Sequence, residues 1–386
     1  MPNRDSNQLS WIPRSLRNVV FKVARIGNRC NEVNSDSLES VFVVHRHSIR
    51  APTYFPAGDP YLNRDNYPRG AGYLTKKGVI ACGSIANVWS SWYPEHIHGL
   101  DHTAVFVRSS ESPRCHQTAQ AILSALFSTQ ETIYPVPVYG PPPGFDNYIS
   151  VVGYGKNINN VLRSHYQDSV SQPNTLGAVT FGDVIEAVKD VMTVPAPLEY
   201  EVFTFLDGIV SNMYEDHPIP DFWTRNERIL TEVYEKLYAL VIEQYRPYYG
   251  GHLLRGIAQR MKQVFNKELS SGTRWCDYSF HDFSLTAIYH ALEGEINLPK
   301  PHFLAAIFFE LRTANDGSHW VEVYHSHGIA PDGSYSPREP MRMRWNGGSH
   351  RVIFEKIFEK MYNNVYIDKL LGANGKKRNH EENGIF

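Results

Sequence analysis

Residues 41–52 read VFVVHRHSIRAP. Four apolar residues, three of them β-branched, predict a buried strand. The run passes straight into His45, Arg46, His47 and Arg50, and Pro52 breaks it. Core packing does not call for such a cluster. Crowded cations repel one another unless an anion sits among them. The stretch therefore predicts a strand whose carboxyl end opens on an anion-binding crevice, where ligands bind in open parallel sheets.

Further strands are expected over 104–107, 275–280, 304–311 and 320–325, with helices between them. In LTKKGVIACGSIANVWSSWY (74–93), Thr75 is a plausible N-cap, and Val79, Cys82, Ala86 and Trp89 form one stripe. Ser112-Pro113 opens a second helix with Ala119, Ile122, Leu123 and Leu126 on its apolar face. Strands alternating with helices argue for an α/β domain, a three-layer sandwich around a mainly parallel central sheet. The proline–glycine stretch YGPPPGFDNY (139–148) interrupts that rhythm, and only helical patterns follow until Trp275, the longest from Pro220 to about Gln244. An inserted α-helical cap is expected. The boundaries become an N-terminal basic extension (1–38), a discontinuous catalytic domain (39–140 and 265–370), a cap (141–264) and a disordered polar tail (371–386).

The chain has 386 residues, 42% hydrophobic, enough for a large core. A formal charge of −2 gives no electrostatic case for nucleic acid or an acidic membrane surface. No apolar run reaches the roughly 20 residues of a membrane span. Cys30, Cys82, Cys115 and Cys276 include no CxxC pair and read as reduced, buried thiols. The first 30 residues lack a signal-peptide core, and no Asn-x-Ser/Thr acceptor occurs. An intracellular location is favoured, with a secreted or lysosomal one if the N-terminus is incomplete. The basic helical pattern over 14–29 reads as a packed or frayed helix ahead of a targeting segment. Oligomeric state, monomer or homodimer, is left open.

Three strand ends collect chemistry: Arg46, His47 and Arg50 from the first, Arg108 from TAVFVRSSESPR (103–114), and His281-Asp282 from DYSFHDFSLTAIYHALEG (277–294). In the last, Leu285, Ile288, Tyr289 and Leu292 predict a helix ended by Gly294, with His281 and Asp282 at its anion-favouring N-terminus. Three arginines suit a tetrahedral dianion, because each planar fork offers paired donors and keeps its charge. A neutral histidine among them can attack phosphorus, and Asp282 can protonate a leaving alkoxide. Arg114 reads as a structural ion-pair partner, and His45 as a strand-end histidine satisfied by backbone. His96, His98 and His102 read as a solvated loop and not as a metal cluster.

RHSIRAP (46–52) resembles the RHGxRxP signature of the histidine acid phosphatases, and His281-Asp282 resembles their HD motif. LTKKG, VFVRSSESPRCHQTAQAIL, PVPV, GGHLL and IFFEL follow in the family's order, so the likeness spans roughly residues 40 to 345. The resemblance implies a phosphoglycerate mutase-like α/β fold with a helical cap. It implies an acid phosphatase acting on small-molecule or protein phosphomonoesters through a covalent phosphohistidine. His47 would be the nucleophile, and Arg46, Arg50 and Arg108 the phosphate ligands. His281 would add a hydrogen bond, and Asp282 would be the general acid; no metal or cofactor is implied. Ser48 stands where the signature has glycine. It either crowds the phosphate, costing about 1–2 kcal/mol if the backbone needs positive φ, or adds a donor. Phe283 and Ser284 replace the threonines that often follow HD. A weakened phosphate-binding relative and a metal-dependent hydrolase using His45 and His47 are the alternative readings.

Overall fold

Seven strands form one mixed sheet in the order β2-β3-β1-β4-β5-β6, with β7 also paired to β5. They are β1 (Ser37–Arg46), β2 (Val105–Ser109), β3 (Trp275–Phe280), β4 (Ala306–Thr313), β5 (His319–Ser326), β6 (Glu339–Pro340) and β7 (Arg351–Ile353). β1 and β2 pair parallel to β3, with Arg46 opposite Phe280 and Ser109 opposite Ser279. β4 runs antiparallel to β1, and β5 antiparallel to β4, β6 and β7. The parallel part thus holds the three strand ends that collect the chemistry. The structure is a computed structural model that describes residues 36–97, 102–127, 136–149, 181–192, 197, 199–269, 272–295 and 300–367. Met1–Ser35 and Asp36–Phe386 are separate units, and the sheet belongs to the second. The basic N-terminal helix, the tail from 371, and residues 150–180 of the expected cap lie outside the described residues.

The helices are α1 (Lys76–Trp92), α2 (Pro94–Ile97), α3 (Pro113–Phe127), α4 (Phe181–Val191), α5 (Glu199–Glu215), α6 (Asp221–Phe265), α7 (Asp282–Ala291) and α8 (Phe354–Tyr362). Strand side chains alternate faces, and β1 uses this to bind three layers. Val41 and Val43 pack with Cys82, Ile85 and Trp89 of α1 and Ile122 of α3. Phe42 and Val44 belong to the opposite core with Leu253 and Ile257 of α6, Ile288 of α7 and Ile357 of α8. All six residues of β3 are buried, as expected for a central strand covered on both faces.

α6 spans 45 residues with a kink at Asn226 (φ −126°, ψ 20°), runs well past the expected end near Gln244, and carries Pro247 in its interior. Tertiary burial overrides the proline: Leu253, Leu254, Ile257, Ala258 and Met261 are all in the core. One helix therefore begins in the insertion and ends as a layer of the sandwich. No described helix is long and apolar enough to cross a membrane. Cys82, Cys115 and Cys276 are buried free thiols, and Cys30 is outside the described residues.

Thr75 caps α1 by accepting from the Gly78 amide at 2.9 Å. Val79 is exposed, and the buried stripe includes Gly78, Cys82, Ile85, Ala86 and Trp89. The reason is the approach of Gly78 to the loop after β1, where a Cβ would strike the Ile49 carbonyl. After α7, Glu293 and not Gly294 takes the left-handed conformation; Gly294 is small because Tyr289 lies against it. Gly78→Ala is expected to push α1 off the 47–50 loop and to lower stability by about 1–3 kcal/mol. Chemical denaturation would measure this; an unchanged midpoint would show that the loop tolerates the displacement.

Candidate active site

The loop after β1 is fixed by backbone. The Arg46 amide donates to the Ala305 carbonyl at 2.8 Å and the His47 amide to Phe280 at 2.9 Å. His47 is buried, and its Nδ1 lies 2.9 Å from the Ser48 carbonyl. A carbonyl only accepts, so Nδ1 carries the proton and Nε2 keeps a lone pair. Ser48 has no positive φ. Its amide donates to Thr118 Oγ1 of α3 at 2.9 Å and its hydroxyl to the Gly78 carbonyl at 2.7 Å. The side chain is spent on α1, so it neither strains the loop nor serves as a phosphate donor.

Arg46 lies over the Phe303 ring at 4.1 Å, donates to the Pro301 carbonyl at 2.7 Å and pairs with Asp282 at 3.0 Å. Arg50 pairs with Asp207 of α5 at 2.5 Å. Lys300 bridges the two acids, 2.9 Å from Asp207 and 3.4 Å from Asp282, and also meets the Tyr234 hydroxyl of α6. Leu304 adopts a left-handed φ of 58° at the foot of this segment, a conformation costing a non-glycine residue about 1–2 kcal/mol. Such strain is characteristic of functional sites.

His281 is the N-cap residue of α7. Its ring lies 5.5 Å from that of His47, near perpendicular. Arg114 Nη2, a donor, is 3.4 Å from His281 Nδ1, which leaves Nε2–H to donate to Ser110 Oγ at 3.0 Å. Burial holds the His47 pKa well below the ordinary imidazole value, and Arg114, Arg46, His281 and Arg50 push it the same way. Burial and then Arg114 do the same to His281. Burial raises Asp282, but Arg46 and Lys300 outweigh it and hold the carboxyl below its usual range.

The structure thus brings together Arg46, His47, Arg50, His281 and Asp282. Arg108 stands elsewhere: it pairs with Asp146 at 2.8 Å, donates to the Ser109 carbonyl and lies over Tyr148 at 5.0 Å. The charges that act most on His47 are Arg114, Arg46, His281 and Arg50. Strand alternation turns Arg108 away from the crevice, whereas the first turn of α3 brings Arg114 back over it. Helical side chains lean toward the N-terminus, here toward the strand end. Lys300, Asp207 and Tyr234 also went unread. His45 is held by the Arg46 carbonyl at 3.2 Å and Asp277 at 3.0 Å, so both ring nitrogens are occupied. His96 is buried in α2, not solvated, and His98 lies outside the described residues.

With both histidines neutral, Arg46, Arg50, Arg114 and Lys300 outnumber Asp207 and Asp282 by two charges. The Nε–H groups of Arg46, Arg50 and Arg114 are buried without a partner among the described residues. Buried donors normally find acceptors. A bound dianion would supply them and cancel the surplus.

No protein-family model matches the chain. Among characterised proteins it is 23% identical to the lysosomal acid phosphatase of Bos taurus over 82% of this chain and 75% of that one. It is 24% identical to the prostatic acid phosphatase of Homo sapiens over 76% and 78% respectively. The chain thus resembles acid phosphatases over most of its length. Its fold is shared with the phytase from Citrobacter braakii, at a TM-score of 0.59 and 14% identity over 85% of this chain and 98% of that one. The RHSIRAP loop and the His281-Asp282 pair, which resemble the two motifs of the histidine acid phosphatases, meet at one crevice.

Two outcomes test the site. Arg114→Ala should cut kcat on an aryl phosphate roughly a hundred- to a thousand-fold, the usual loss for one preorganised donor, while Arg108→Ala should cost about tenfold or less; the reverse order would return Arg108 to the phosphate. The second concerns stability. Unfolded histidines protonate near 6.5, so below that pH the unfolded chain binds protons that His47 and His281 refuse. Stability should fall as pH drops from about 7 to 5, and His47→Asn should flatten the fall in thermal melts. Equal slopes would mean that His47 is not held neutral.

Proposed function

We propose that the protein hydrolyses phosphate monoesters at this crevice by way of a phosphohistidine on His47. The observation that carries the reading is convergence: three guanidinium groups, each with a buried unpartnered Nε–H, surround one imidazole whose Nδ1 proton is tied to backbone. Phosphate oxygens dock on Arg46, Arg50 and Arg114, and His281 Nε2–H exchanges Ser110 for a phosphate oxygen. His47 Nε2 attacks phosphorus; the P–N bond forms as the bond to the leaving oxygen breaks. The guanidinium groups offset charge on the equatorial oxygens. Asp282 delivers a proton to the leaving alkoxide, then accepts one from the water that cleaves the P–N bond.

The charge balance supports acidic operation. Asp282 is too acidic to arrive protonated on its own. A phosphomonoester loses its second proton near pH 6, so below that it enters as a monoanion and brings the proton that Asp282 passes on. His47 stays a free base there because its pKa is held low. Substrate choice belongs to the cap, taken as residues 141–264, from which Asp207 and Tyr234 already reach the crevice.

Rapid quench with a labelled phosphomonoester at about pH 5, below the phosphate's second pKa, should trap an acid-labile label on His47. His47→Ala should lose the label and turnover together; retention of either would contradict the assignment.

A further inference from the structure

On the antiparallel flank of the sheet, β5 ends at Ser326, and His325 and His327 bracket that residue. His327 lies just beyond the strand end, and Glu339 of β6 is paired directly opposite His325, on the same face. The three side chains place donor atoms within 4.8 Å of one another. The rings of His325 and His327 are 5.1 Å apart and near perpendicular, so neither stacks on the other.

His325 is 3% exposed, yet both its ring nitrogens are buried without a hydrogen-bond partner among the described residues. An imidazole in a core normally has at least one partner. Glu339 is exposed and long enough to swing, and His327 is half-buried. A small cleft of about 20 Å³ bordered by Leu285, Pro301, Ile307, His325 and His327 reaches the two histidines, with room for about one water molecule.

We propose that His325, His327 and Glu339 bind a divalent transition-metal ion, with zinc the best match. Two imidazoles and a carboxylate are a common zinc donor set, and three protein ligands leave one position for water. Metal–ligand bonds of about 2.0–2.2 Å put tetrahedral donors about 3.3–3.6 Å apart, and side-chain rotation of the exposed Glu339 and half-buried His327 would close the difference. Calcium and magnesium prefer oxygen donors and are disfavoured. Bound metal would fasten the two-residue β6 to β5. None of its three ligands is a residue of the phosphate crevice, which lies two strands away at the ends of β1 and β3.

The full chain, freed of metal by chelator, would be titrated with Zn2+ against a chromogenic chelator and separately with Co2+ by visible spectroscopy. One ion per chain is expected, with visible cobalt bands of a nitrogen–oxygen site. His327→Ala and Glu339→Gln alter accessible side chains, so the fold should survive; each should weaken zinc binding at least ~10-fold, since loss of even an outer-shell partner costs about that much. His47→Asn should bind as the parent does. Binding unchanged in both His327→Ala and Glu339→Gln, binding lost only in His47→Asn, or no ion held by the parent would each overturn the proposal.

Discussion

The architecture of the crevice depends on burying like charges together. At about 4 Å two unit charges of one sign repel by about 4 kcal/mol at an effective dielectric constant near 20. Asp207 and Asp282 make the arrangement tolerable: Arg46, Arg50 and Lys300 each hold one or both carboxylates. Arg114 leans on the uncharged ring of His281 instead. The cluster is held together but keeps a surplus of two positive charges, which suits the phosphate proposed to bind there.

The same surplus keeps His47 a base. A protonated imidazole would add a third uncompensated charge to a buried site, so burial and guanidinium groups together favour the neutral form. Backbone then selects the tautomer, since the Ser48 carbonyl accepts a hydrogen bond from Nδ1–H. The usual glycine of the signature is dispensable because the loop here has no positive φ at that position and α1 offers Gly78 O to the serine hydroxyl. Ser48 therefore gives no reason to regard the protein as a weakened relative.

Local patterns carried the fold far. The apolar run into RHSIRAP, the Thr75 cap and the HD step into α7 are properties of contiguous residues, and contiguous residues can be read. Arg114 was legible only in part: its spacing from β2 is visible, but whether a strand residue or the next helical turn reaches the crevice depends on strand alternation and on where α3 begins. Asp207 and Lys300 were beyond reach. They meet Arg50 and Asp282 only through packing of α5 and of the segment after α7, and a lone aspartate in a helical pattern carries no signal of that. The antiparallel flank was hidden for a related reason, since strand direction follows from connections and not from composition. The run of α6 past Pro247 was decided by burial against α7 and α8, which outweighs a local helix breaker.

A crystal structure with vanadate tests the central claim most directly, because vanadate adopts the five-coordinate geometry of an in-line phosphoryl transfer. The account predicts vanadium bonded to His47 Nε2, with its equatorial oxygens on Arg46, Arg50 and Arg114 and an apical oxygen beside Asp282. Vanadate held by Arg108, or bound with no contact to His47, would contradict it.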